Sequence, residues 1–323
     1  MSTNTPNVAP FPINAVQTGI TLAYVNSTLI ADNVMPRVPV ATKEFKYNKY
    51  EKAERFTVPN TQVGRKGVPN EMEFGATEEA AIAKDYGLDS IIPNDDITQA
   101  AASGGTYNPI NHSTEALTDL ILLDREKRVA DIVFDADSYN SGYKTDVSGT
   151  LTDQWSDYAN SEPREQILEA LDIPIMRPNI FVLGQNVWTK LRQHPQIVSS
   201  ILGNNGEQGT VTRQQLAALL EVEEVVVGQG WVNIAKPGQT PSFVRVWGNH
   251  AALLHRNRLA NTQMGTTFGF TAQYQGRIAG QMPEPKVGLR GGVRVRVGES
   301  VKELVIAKDL GYFFENAIAT PAP

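Results

Sequence analysis

The sequence predicts an α+β fold built in more than one part, and three observations carry that prediction. A lysine-rich stretch near the N-terminus alternates like a β-ribbon, one unbroken helical pattern runs for about 25 residues in the first half, and a helix–strand module separates that helix from a β-rich C-terminal segment. At 323 residues the chain exceeds what a single core usually organises.

The first 36 residues form an arm with one acidic residue, Asp32, and no Lys or Arg. Pro6, Pro10 and Pro12 oppose regular helix and favour extended chain. Residues 21–32, TLAYVNSTLIAD, predict a short helix, weakened by Val25 and Thr28. Alone, such an arm is expected to be mobile, and a neighbouring subunit is the simplest thing to order it.

The ribbon follows. From Glu44 to Pro69 the chain reads EFKYNKYEKAERFTVPNTQVGRKGVP, with Phe45 and Tyr47 on one face and Phe56 and Val58 after a break. Lys46, Lys49, Lys52, Arg55, Arg65 and Lys66 charge it, while Pro59, Gly64 and Gly67 interrupt it. A lone two-stranded ribbon is marginal in water because one face needs cover. The stretch EEAAIAKDYGLDSIIP then predicts a short element and a return strand ending at Pro93, and residues 94–110 predict a polar loop.

The long helix is predicted near Ser113–Asp137, capped by Asn111 or Ser113. Glu115 and Asp119 lie early and Lys127 and Arg128 late, complementing the macrodipole. Leu117, Leu120, Ile121, Leu122, Val129, Ile132, Val133 and Ala136 supply the apolar stripe, and Asp124 with Arg128 is a favourable i, i+4 pair. Such a rod is about 37 Å long.

The inserted module starts with EPREQILEALD, an amphipathic helix presenting Ile167, Leu168 and Leu171. A buried strand at residues 180–183 precedes a helix with Val187, Trp188 and Leu191. Thr212 and Gln215 fit a capping box ahead of Leu216, Leu219 and Leu220, and Val225–Val227 reads as the next strand. SFVRVWGNHAALLHRN adds another strand, with room for a last one; from Thr266 onward the pattern is predominantly β, and no internal repeat is present.

Composition narrows the function. Hydrophobic content of 41% and charged content of 20% are those of a globular protein. No apolar run approaches the length of a membrane span, and the first residues lack the pattern of a secretory signal. Cysteine is absent, which removes disulfides, thiolate nucleophiles and thiolate metal sites. A net charge of −6 argues against clamping nucleic acid. Residues 245–302 are nonetheless rich in basic side chains (Arg256, Arg258, Arg277, Lys286, Arg290, Arg294 and Arg296), expected on a half-exposed sheet face or against an acidic protein surface, with DNA contact as the remaining alternative.

Motifs for chemistry are weak. Asp135 and Asp137 open a calcium-like loop, but Tyr139, Asn140 and Asp146 stand where ligands and a glycine belong, so a polar turn is expected. His250 and His255 are five apart, and His112 and His194 are isolated. VVVGQGW lacks the third glycine of a dinucleotide site, and no phosphate-binding GxxxxGK loop or GxSxG elbow occurs. Glu223 and Glu224 diverge as neighbours do. The expectation is a structural protein rather than an enzyme, with no catalytic residues, cofactor or metal.

The order of parts resembles a known family. The stretches LIADNVMPRVPVATKEFKYNKYEKAERFTVP, FVLGQNVWTKLRQHPQI, VRVWGNHAALLHRN and GVRVRVGESVKELVIAKDLGYFFENAI, in this order and spacing, resemble the major capsid proteins of tailed bacteriophages, which share the Hong Kong ninety-seven type shell fold. The resemblance implies an arm over residues 1–36 and an extended loop over 37–93. It implies a peripheral domain over 94–144 and 262–323 holding the spine helix, and an axial domain over 145–261. It implies an icosahedral virion shell of hexamers and pentamers around double-stranded DNA, assembled in the bacterial cytoplasm with a separate scaffold, a portal and decoration proteins. The extended loop would lie across a neighbouring subunit. Its expected contacts are Tyr47, Tyr50 and Phe56 as anchors, with Arg65 and Lys66 near the tip against acidic residues. Two alternatives stand beside this one: a nanocompartment shell of the same fold, and a cytosolic α/β enzyme with an unrecognised site.

Overall fold

The computed structural model describes residues 11–50, 58–71, 76–104, 107–149, 153–203 and 209–320. Two sheets organise it. In the first the strand order is β1 (Arg37–Val40), β11 (Gly269–Glu284), β12 (Gly292–Val305) and β4 (Lys84–Pro93). The 14 residues of β12 span about 45 Å, and β11 bends at a bulge between Tyr274 and Ile278.

The long helix, α4 (Pro109–Val133), lies on β12 and β4. It has the predicted length but starts four residues earlier. Asn108 accepts hydrogen bonds from the amides of Ile110 and Asn111, and Pro109 occupies the first turn, a stronger start than Ser113. It ends early because Phe134 turns into the core beside Trp247, ring centroids 5.2 Å apart, and the Tyr139 hydroxyl donates to the Val133 carbonyl.

Two further expectations are corrected. Residues 94–110 are not all loop: Asn94–Ala102 forms α3, with Asp95 and Asp96 in the first turn where the dipole favours anions. No residue of α3 is buried, so it has no apolar stripe for periodicity to find. The arm helix is displaced as well. Asn14 caps α1 (Ala15–Ala23), which packs on β11 and α4, and the next helical turn is α2 (Ala31–Val34). The described part of the arm is therefore held by its own subunit.

The second sheet has the order β5 (Lys144–Asp146), β13 (Gly311–Glu315), β10 (Ala251–Leu254), β6 (Ile180–Gly184) and β7 (Glu224–Gly228). Strands β13, β10, β6 and β7 carry apolar runs because both faces there are buried, whereas the edge strand β5 (Lys-Thr-Asp) is exposed. One face, with Phe181, Leu183 and Val225, packs under α5 (Pro163–Asp172), α6 (Gln185–Leu191), α7 (Pro195–Leu202) and α8 (Arg213–Leu220). The other, with Ile180, Val182 and Phe313, faces α4 and Trp247. The capping box of Thr212 and Gln215 forms in full at the start of α8. While β11 and β12 stay with the long helix, β13 crosses into this second sheet.

A buried charge cluster ties the parts together. Glu126, fully buried, accepts from the amides of Ile30 (2.8 Å) and Ala31 (2.7 Å) at the start of α2 and from the Trp247 indole (2.5 Å). Its neighbour Arg125 reaches Asp32 (2.6 Å), Thr271 and the Met35 carbonyl. Arg37 links Asp32 to Glu299, each at 2.8 Å, and Arg277 joins Glu299 at 3.3 Å. Burial pushes Glu126 up. Burial also opposes ionisation of Asp32 and Glu299, but Arg125 and Arg37 around the first and Arg37 and Arg277 around the second hold both below the usual carboxylate range.

His194 is a second buried titratable group. Its Nδ1 accepts from the Gln196 amide at 3.3 Å, capping α7, and its Nε2 lies 3.0 Å from the Ser161 hydroxyl. The cap requires an unprotonated Nδ1, so the ring is neutral with its proton on Nε2. Burial pushes its pKa down to about 4.

These groups give stability predictions that chemical and thermal unfolding of the isolated subunit will check. Glu126→Ala strands two amides and an indole and is expected to cost about 3–5 kcal/mol; Glu126→Gln, which still accepts, costs less. The neutral His194 resists a proton that the unfolded chain takes up near pH 6.5, so stability falls as pH drops below that value, by about 3 kcal/mol at pH 4. Asp32 and Glu299 stabilise above the unfolded carboxylate pKa of about 4, so their contribution is lost only as pH falls further through their depressed values. His194→Asn, which keeps a cap, removes the first decline and leaves the second.

Candidate assembly surfaces

The ribbon is half self-covered and half bare. β2 (Glu44–Tyr50) and β3 (Ala76–Ile82) pair antiparallel and stand apart from both sheets. At the base, Phe45 and Tyr47 pack with Val38, Ala83, Phe270 and Ala272. The ribbon's lysines pair locally: Lys46 with Glu78 at 2.6 Å, Lys49 with Glu79 at 3.0 Å and Lys43 with Asp85 at 2.5 Å. Beyond the base, every residue of 58–71 except Pro59 is exposed, Val58 and Val68 at 90% and 84%. The Gly67 amide donates to the Gly64 carbonyl at 2.8 Å, closing a turn with Arg65 and Lys66 at its centre. That turn is the tip.

The five expected contact residues are therefore distributed unequally. Tyr47 is buried in its own subunit, and its hydroxyl donates to Glu79 at 2.5 Å. Burial and then the Glu79 carboxylate push its pKa up to about 12. Tyr50 ends β2 opposite Ala76, and its side chain lies outside the described residues, as does all of Phe56. Arg65 and Lys66 are exposed at the tip, where the reading of the sequence put them.

The C-terminal arginines are occupied within the chain. Arg296 and Arg294 bind Asp89 across the sheet, Arg294 also binds Glu284, Arg290 binds Asp95, and the buried Arg256 meets Glu224 at 3.3 Å. The surface they were expected to offer an acidic partner is already paired. Glu223 and Glu224 serve Arg256, and the Asp135 carboxylate caps a short turn at Asp137. In VVVGQGW, Gly228 is required by packing, since a Cβ there would lie 2.0 Å from the Trp247 ring. Among the described residues no group of three or more His, Asp or Glu is placed to hold a metal, and no helix is long and apolar enough to cross a membrane.

Sequence reasoning found a strand in SFVRVW but missed its partner and their exposure. β8 (Trp231–Asn233) and β9 (Phe243–Arg245) form a second two-stranded ribbon, outside both large sheets, with Trp231 and Phe243 half or more exposed. Its signal is the aromatic at each end of a loop containing Pro237, Gly238 and Pro241.

No family model matches the chain. A curated major capsid protein of Pseudomonas phage JBD67 is 54% identical over 311 residues, covering 96% of this chain and 99% of that protein. The major capsid protein of Burkholderia phage BcepMu is 26% identical over 318 residues, covering 94% and 96%. Among solved structures, a phage-related protein of Bordetella bronchiseptica RB50 superposes with a TM-score of 0.74 at 21% identity, covering 96% of this chain and 99% of that one. The capsid protein of cyanophage P-SCSP1u gives 0.57 at 10% identity, covering 98% and 92%.

The two halves of the ribbon separate in their response to substitution. Tyr47→Ala is expected to destabilise the subunit by about 3 kcal/mol and Tyr47→Phe by about 1 kcal/mol. Arg65→Glu and Lys66→Glu are expected to stay within about 0.5 kcal/mol of the unsubstituted chain. Urea unfolding checks all four.

Proposed function

The chain belongs to the major capsid proteins of bacteriophages, and from that premise we propose that its copies close into an icosahedral shell of hexamers and pentamers around double-stranded DNA, assembled in the host bacterial cytoplasm. The observation that carries this reading is the 54% identity to a curated phage major capsid protein across 96% of the chain. The bare half of the ribbon supports it physically. Beyond the two-stranded base, the segment of residues 58–71 exposes Val58 and Val68 with no cover from the described residues of its own subunit. A neighbouring copy supplies that cover, with Arg65 and Lys66 meeting acidic side chains there.

The same reading assigns parts. Residues 11–36 anchor the arm, and within the stretch 37–93 expected to be extended loop the part between β1 and β4 carries it, since those two strands belong to the first sheet. The first sheet with α4 forms the peripheral layer, and the second sheet with its four covering helices forms the axial module. A separate scaffold, a portal and decoration proteins complete the particle. DNA is enclosed without being gripped, in keeping with a net charge of −6 and the internal pairing of the C-terminal arginines. The phage relative favours nucleic acid over enzyme cargo as the content.

Sedimentation, light scattering and negative-stain imaging of the purified chain test this. Hexamers, pentamers or closed shells are expected, with nuclease-protected double-stranded DNA in shells taken from phage-producing cells. A chain that stays monomeric at every concentration, with and without other head proteins, would refute the shell. Arg65→Glu with Lys66→Glu is expected to leave the subunit folded while raising the concentration at which it assembles by about tenfold, the effect of about 1.4 kcal/mol.

A further inference from the structure

The β8–β9 ribbon and a pocket at the far edge of the second sheet form a matched pair that one chain cannot join. In register, Trp231 faces Arg245 and Asn233 faces Phe243, so all four share one face of the ribbon. Val232 and Val244 take the other face, and Val232 packs on the core. Trp231 is 50% exposed, Phe243 64% and the adjoining Ile234 60%. The Arg245 guanidinium stacks 3.9 Å from the Trp231 ring while donating to the Gln229 carbonyl at 2.6 Å, which fixes the aromatic in place. Rigid, exposed tryptophan and arginine side by side are the composition of an interface anchor.

The ribbon continues directly from β7, an edge strand of the five-stranded sheet. The opposite edge is β5, about 19 Å away across four strand spacings. Against it lies a cavity of about 180 Å³ whose buried walls are Val147, Ala170, Tyr312 and Phe314 and whose exposed rim is Thr145, Asp153, Glu169 and Ile173, with Gln166 between them. A cavity of about 150 Å³ takes a benzene ring, so the space admits one aromatic side chain seated on the buried walls beneath a polar rim. Ile173 and Ile175 beside it are 44% and 47% exposed. The charges also match: exposed Lys236 follows the aromatic face, and exposed Glu169 and Asp172 flank the cavity.

We propose that the aromatic face of the β8–β9 ribbon in one copy, led by Phe243, seats against the cavity at residues 169–173 of the next. The knob and the hole lie at opposite edges of one sheet, so the contact is head-to-tail and repeats around a ring. This rests on the reading of the chain as a shell subunit, and it names the surfaces through which the axial modules meet.

The cysteine-free chain makes the test direct. Phe243→Cys with Ile173→Cys introduces the only thiols, which bridge only if their Cα atoms come within about 7 Å. Oxidised assemblies of the double variant are expected to run as a covalent ladder on a non-reducing gel, whereas each single variant runs as monomer. Trp231→Ser with Phe243→Ser, both at exposed positions, is expected to keep the unfolding midpoint and raise the assembly concentration about tenfold or more. A double variant that assembles without a ladder, or a serine variant that assembles like the unsubstituted chain, overturns the contact. Failure of the unsubstituted chain to assemble at all is a different result, and it removes the shell reading beneath it.

Discussion

Two consecutive residues in the middle of the long helix hold the molecule in register. Arg125 and Glu126 are both buried, and neighbours on a helix point about 100° apart. One therefore addresses the first sheet and the other the second, with the arm threaded between them. Arg125, Arg37 and Arg277 balance Asp32, Glu126 and Glu299, so the cluster carries three charges of each sign. A buried pair of this kind adds little net stability over an apolar one, but losing a single member is severe. It acts mainly to specify one arrangement of arm, helix and sheets.

That cluster was illegible in the sequence, for a physical reason. Its members are separated by 93 residues between Asp32 and Arg125 and by 262 between Arg37 and Glu299, and nothing local marks them as partners. Where structure is set locally, the sequence spoke clearly. The capping box at Thr212, the apolar strands of the second sheet and most of the long helix's stripe follow from spacing within a few residues, but Leu120, read into that stripe, is 53% exposed, while Thr114, Thr118, Arg125 and Glu126 share the buried face. The start of the long helix was misplaced because two asparagines and a serine compete as caps, and only Asn108 is followed by proline. The solvent-facing helix of residues 94–102 was missed because it stabilises itself through its ends and not through a stripe.

The ribbon proposed for assembly was legible as an element and not residue by residue. Alternation and charge identified the ribbon, and the glycines at 64 and 67 marked its tip. Periodicity cannot say which half of a ribbon its own domain covers. Tyr47 fell on the covered half because β1 and β11 happen to pass beneath it, a tertiary fact. Of the aromatic hairpin at 231–245 only the second strand was read, because Trp231–Asn233 is three residues long, too short for alternation to stand out.

The placement of β13 bears on when a subunit becomes complete. Residues 311–315 lie between β5 and β10 inside the second sheet, and residues 37–40 pair in parallel with a strand that begins at residue 269. Neither sheet can close until chain far downstream of its first strands has emerged from the ribosome, residues 269–305 for the first sheet and 311–315 for the second. A nascent subunit on a crowded messenger is thereby without finished surfaces to offer its neighbours. A chain cut short before residue 311 lacks the strand between β5 and β10, so the second sheet is left split and its helices without a finished floor.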